Sequence, residues 1–122
     1  MDLKWSGFIS PYTEETVRKI VPEAPGIYLL WCECGEGYKC FYAGRAVNLR
    51  QKLLGHLLCT ESNVGIWHRV KDNGGFHYAE VPETSDRKGI RIFLYKNLLP
   101  ECNIHIPSGT EIEVNLPDFP GL

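Results

Sequence analysis

A chain of 122 residues, 43% hydrophobic and 23% charged, has the composition of a soluble globular protein and enough length for one self-supporting core. No apolar run approaches the ~20 residues that cross a bilayer, and Met1-Asp2-Leu3-Lys4 lacks the basic-then-apolar order of a secretory leader, so a cytoplasmic location with no membrane partner is expected. The net charge of −2 speaks against a polyanionic ligand until it is divided: residues 1–38 hold 3 basic and 6 acidic side chains, residues 39–96 hold 10 and 5, and residues 97–122 hold none and 4.

Thr13 is placed to cap a short helix through Ile20, with Glu14 and Glu15 at the positive end of its dipole and Pro22 and Pro25 beyond its end. The bulky run Gly26 to Cys34 predicts a buried strand, residues 35–37 a turn, and Lys39 to Gly44 the returning strand of a hairpin. Asn48 predicts a helix cap. Leu49, Leu53, Leu54, Leu57 and Leu58 then recur at helical spacing, and Arg50, Lys52 and His56 fall on the other face.

Val64, Ile66, Trp67 and Val70 suggest a short helix, followed by a turn at 72–75 and a third strand from Phe76 to Val81. A last helix opens near Asp86, with Ile90, Phe93, Leu94, Asn97 and Leu98 along one side, and closes before Pro100. In the tail, Ile112, Val114 and Leu116 alternate with polar residues, which predicts a strand. With no repeat or linker, residues 1–122 are expected to form one domain with a core over 24–104. Its expected architecture is an α/β sandwich whose three- to four-stranded, mainly antiparallel sheet is flanked by helices.

The five cysteines (Cys32, Cys34, Cys40, Cys59, Cys102) are read as free thiols, with a zinc knuckle as the alternative. Cys32 and Cys34 leave a gap of one residue, where structural zinc pairs leave two to four. His68, His77 and His105 lack ligand spacing and are read as structural, and Trp5, Trp31 and Trp67 as packing residues. No glycine-rich phosphate loop precedes a helix.

Gly26-Ile27-Tyr28 followed by Tyr42-Ala43-Gly44 resembles the paired tripeptides of the GIY-YIG nuclease superfamily, which includes homing endonucleases and the incising nuclease of bacterial excision repair. The resemblance extends through Arg45, Asn48-Leu49 and His56 and resumes at Leu94-Tyr95-Lys96, Pro100 and Asn103. It implies a metal-dependent phosphodiesterase fold in which Tyr28 and Tyr42 orient or deprotonate the attacking water and contact the phosphate. It also implies that Gly44 lets the backbone approach the sugar-phosphate, that Arg45 and Lys52 supply positive charge, that His56 moves a proton or supports a tyrosine, and that Asn103 supports the site. Asn48, Arg50 and Arg91 complete the expected phosphate-binding set, and DNA or another phosphate-bearing ligand is the expected partner.

Two positions depart from that family. Its catalytic arginine, four residues after the Asn, is Lys52 here, which keeps the charge and loses the planar fork. Its metal-binding glutamate, nine residues before the closing proline, is Arg91, and a guanidinium cannot ligate Mg²⁺. No protein metal ligand is therefore assigned, and Mg²⁺ or Mn²⁺ is expected only if cleavage is retained. The expected function is a catalytically impaired GIY-YIG domain in which Arg91 stands in the metal's place; the alternative is a non-enzymatic structural or protein-interaction domain, with Arg87 and Arg91 a solvated helical stripe.

Overall fold

The computed structural model describes residues 1–34, 37–58, 61, 63–70, 74–103, 105 and 107–118. In chain order the elements are α1 (Glu14–Ile20), β1 (Gly26–Cys34), β2 (Gly37–Ala46), α2 (Leu49–Gly55), α3 (Val64–Arg69), β3 (Gly75–Glu80) and α4 (Thr84–Leu98). Residues 35–36, 71–73, Cys59 and the side chain of Cys34 lie outside the described residues, and with them the expected 35–37 turn and most of the 72–75 turn.

The strands form an antiparallel sheet in the order β2-β1-β3. Its central strand is β1, covered on both faces, which is why its apolar run is continuous and not alternating. Tyr28, Leu30 and Cys32 face a cluster with Tyr12, Val17, Leu49, Leu53 and Ile66, carried by the segment before α1 and by α1, α2 and α3. Ile27, Leu29 and Trp31 face the opposite cluster, built with Ile90 and Leu94 of α4, Leu3 and Val114. The expected caps are present. Thr13 accepts from the Thr16 amide at the start of α1, and Asn48 accepts from the Gln51 amide at the start of α2.

The predicted tail strand is corrected. Residues 107–118 join no sheet, although Val114 is buried between exposed Glu113 and Asn115 as the alternation suggested. Both sheet edges are already in use. On the β3 edge, Ile9 and Phe76 exchange two backbone hydrogen bonds of 2.9 Å, and Ser6 N–H donates to Tyr78 O. On the β2 edge, Cys102 N–H donates to Phe41 O at 2.8 Å, and the Asn103 amide brackets Ala43. The tail instead lies on α4, where Ile112 N–H donates to Gly89 O, and on the N-terminal segment, where the Asn115 side chain bonds both the N–H and the O of Leu3. Gly89 permits this contact, because a Cβ there would sit 2.6 Å from Ile112 Cγ1.

Inside the sheet, the Trp31 indole N–H donates to His77 Nδ1 at 3.0 Å, so that nitrogen must be unprotonated. Burial lowers the His77 pKa to about 4, below the ~6.5 of an exposed imidazole. The unfolded chain therefore takes up this proton first. The stability it represents is complete above pH ~6.5 and is lost as pH falls towards 4, on the order of 3 kcal/mol in all. Urea midpoints measured from pH 7.5 to 4 should fall through that window. They should fall less for His77→Gln, which keeps an acceptor for Trp31; equal slopes would contradict the assignment.

Candidate functional site

The two tyrosines reach one place because the β1–β2 register slips. Leu30 pairs with Tyr42 but Trp31 pairs with Cys40, leaving Phe41 as a bulge. Phe41 and its neighbour Tyr42 consequently both pack on the α1–α3 side, while Cys40 and Ala43 turn to the other. The Tyr28 and Tyr42 rings then stack with centroids 6.0 Å apart. Directly across from Tyr28 is Gly44, and a Cβ at that position would run into the Tyr28 ring. The glycine is required by the phenol that lies over it.

Tyr28 is fully buried, and its hydroxyl is satisfied internally. It lies 2.7 Å from His56 Nε2, and His56 Nδ1 lies 2.6 Å from Glu61 Oε2. A carboxylate can only accept, and burial lowers the His56 pKa, with Glu61 opposing and Lys52 assisting. Despite its carboxylate partner, then, the imidazole is neutral at pH 7. Nδ1–H donates to Glu61 and Nε2 accepts from the Tyr28 hydroxyl. Burial also raises the Tyr28 pKa well above its ordinary value; Tyr42, Tyr12 and Glu61 add to the rise, and Arg91 opposes it. Tyr28 is a phenol at neutral pH and a donor to His56.

Beside this chain lies an open cleft of about 830 Å³ between the end of β2, the C-terminal end of α2 and the first half of α4. Of the expected residues, Tyr42, Arg45, Asn48, Lys52, His56 and Arg91 line it. Arg91 is held there by its Nε–H, which donates to Ala43 O at 3.3 Å, and it meets no carboxylate among the described residues. Arg87, only 5% exposed, lines the cleft as well. Its guanidinium donates to Val81 O, Pro82 O and Thr84 Oγ1, all neutral, and its buried Nε has no partner among the described residues. The solvated-stripe reading of Arg87 and Arg91 is thus set aside.

Four expected residues stand elsewhere. Tyr28 and Gly44 are buried behind the cleft wall. Arg50 turns the other way, donating to Val21 O at 2.8 Å and lying 3.6 Å from Glu23, because residues two apart on a helix do not share a face with one another. Asn103 spends its amide on the backbone of Ala43, accepting from its N–H at 3.1 Å and donating to its O at 3.0 Å. Glu61 was not singled out by the sequence, and Arg87 was named only as part of a solvated stripe.

Among solved structures, the chain is similar to the GIY-YIG N-terminal endonuclease domain of UvrC from Thermotoga maritima bound to its catalytic divalent cation, magnesium. The TM-score is 0.59 at 21% identity, over 75% of this chain and all of that one. The fold is that of the GIY-YIG nucleases. A point mutant of the same UvrC domain, also bound to its catalytic divalent cation, matches with a TM-score of 0.60 at 20% identity over 76% of this chain. No family model and no curated protein matches the chain.

The GIY-YIG fold therefore brings the expectation of a divalent cation, and the residues here do not fit one. The carboxylate lining the cleft is Glu61, whose Oε2 is bonded by His56 and whose Oε1 accepts from Asn63 N–H. Four cationic side chains surround the space, and no group of three or more His, Cys, Asp or Glu is placed to hold a metal among the described residues. Among the described residues the cleft is predominantly cationic and presents no set of oxygen ligands for Mg²⁺.

Removing the phenol oxygen should strand the His56 acceptor. Tyr28→Phe is expected to cost about 1–3 kcal/mol in urea unfolding. Nitrogen NMR at pH 7 should show His56 as the Nδ1–H tautomer, and Glu61→Gln should depress its pKa further; an Nε2–H tautomer would reverse the assigned chain of donors.

Proposed function

We propose that this GIY-YIG domain holds a phosphate-bearing ligand, DNA foremost, in its cationic cleft and does not hydrolyse it by the metal route. The observation that carries this reading is the charge of the cleft: Arg45, Lys52, Arg87 and Arg91 line it, and its carboxylate is consumed by His56 and Asn63. A buried guanidinium with only neutral partners, as Arg87 is, is costly unless an anion offsets it. A phosphate supplies that anion, and arginine forks match its oxygens. Tyr42, at the cleft wall with its ring edge against His56, would then border the ligand. A reducing, cytoplasmic setting is part of this reading; Cys40 and Cys102 are buried thiols.

A second reading, a protein-interaction domain that keeps only the fold, draws support from Val47 and Leu58. They are 80% and 57% exposed at the rim of the same cleft.

Affinity for a DNA duplex separates the two. With about three phosphates neutralised, binding should weaken roughly 40-fold between 50 and 200 mM salt, and Arg91→Gln should weaken it about tenfold. A flat salt response would favour the protein partner. Supercoiled plasmid with Mg²⁺ or Mn²⁺ should remain intact; nicking by the wild type that vanishes in Tyr42→Phe would overturn the non-hydrolytic reading.

A further inference from the structure

The cationic cleft is not the end of the positive surface. A second, smaller cleft of about 300 Å³ is lined by Arg45, Lys88, Arg91, Ile92, Pro107 and Ser108, so Arg45 and Arg91 are walls common to both. The extra residues come from the next stretch of α4 and from the tail, which is held on α4 by the bond from Ile112 N–H to Gly89 O. Lys88 and Arg91 are three apart on α4 and Arg87 and Arg91 four apart, the spacings that put side chains on one helix face.

Charge pairing singles out the same track. Arg18, Lys39, Arg50, Arg69 and Lys96 each meet a carboxylate. Among the described residues Arg45, Lys52, Arg87, Lys88 and Arg91 meet none, and all five line one cleft or both. Elsewhere among the described residues only Lys4 and Lys19 share that condition. Unpaired cations on a mobile surface are unremarkable, but here Arg91 is fixed at the dividing wall by its bond to Ala43 O. Its terminal nitrogens are left without a hydrogen-bond partner among the described residues. A guanidinium held in this way can donate to an anion on either side.

We infer that the two clefts are consecutive phosphate seats, so that the ligand is a nucleic-acid strand gripped by at least two successive phosphates and not an isolated phosphate or mononucleotide. Lys88 and the Ser108 hydroxyl serve the second seat, and Arg91 bridges the two. This rests on the anion-binding reading of the first cleft and extends it along the backbone.

Fluorescence anisotropy with a labelled thymidine octanucleotide, its RNA counterpart and a labelled thymidine 5′-monophosphate tests it. Lys88→Gln should weaken either oligonucleotide three- to tenfold and lower the salt slope by about 1, while leaving mononucleotide binding unchanged; Arg91→Gln should weaken all three. A preference between the DNA and RNA strands identifies the strand without altering the two-seat geometry. If Lys88→Gln leaves oligonucleotide affinity within twofold while Arg91→Gln reduces it, the second seat is wrong and the first cleft stands. If the wild type binds none of the probes, both readings fall.

Discussion

The hydroxyl of Tyr28 is the constraint from which the site's character follows. Tyr28 belongs to the central strand of the sheet, covered on both faces, where an unsatisfied hydroxyl would be costly. His56 satisfies it, and Glu61 in turn fixes the imidazole and its tautomer. That chain commits the carboxylate of the cleft to an internal task. What remains facing the open space among the described side chains is positive, and the charge of the cleft is a by-product of how a buried phenol is accommodated.

The scaffold makes this arrangement rigid. The bulge at Phe41 turns Tyr42 onto the Tyr28 side without moving the strands apart, and Gly44 provides the flat backbone over which the Tyr28 ring lies. Asn103 and Cys102 then close the outer edge of β2 opposite those residues. The β2 wall of the cleft is thus carried by backbone that is bonded on both of its edges, which fixes the shape of that wall.

Much of this was legible because it is local. Continuous bulk in β1, the caps at Thr13 and Asn48, and leucine spacing from Leu49 to Leu54 each depend on neighbours a few residues away, and each reappears in the fold, whereas α2 ends at Gly55, short of the expected Leu57 and Leu58, and Leu58 is exposed. The paired tripeptides located the tyrosines, and counting along α4 placed Arg91 at the cleft. What escaped was set by contacts distant in sequence. Glu61 lies between periodic elements, and its importance depends on Tyr28 being buried. The tail buries Val114 but exposes Leu116, and it found both sheet edges occupied, a fact that no pattern within residues 107–118 contains. Arg50 was grouped with Lys52 as positive charge on one helix, although two residues of separation point them apart.

The carbonyl of Ala43 accepts from both the Asn103 amide and the Arg91 Nε. A carboxylate in place of Arg91 would present its own oxygens to that carbonyl, lose the anchor, and leave Arg87 and Arg45 as repulsive neighbours of any incoming cation. The positive charge at position 91 is therefore built into its surroundings. A single Arg91→Glu substitution would leave Arg45, Lys52 and Arg87 around the space, lowering the positive charge of the cleft without supplying a set of metal ligands.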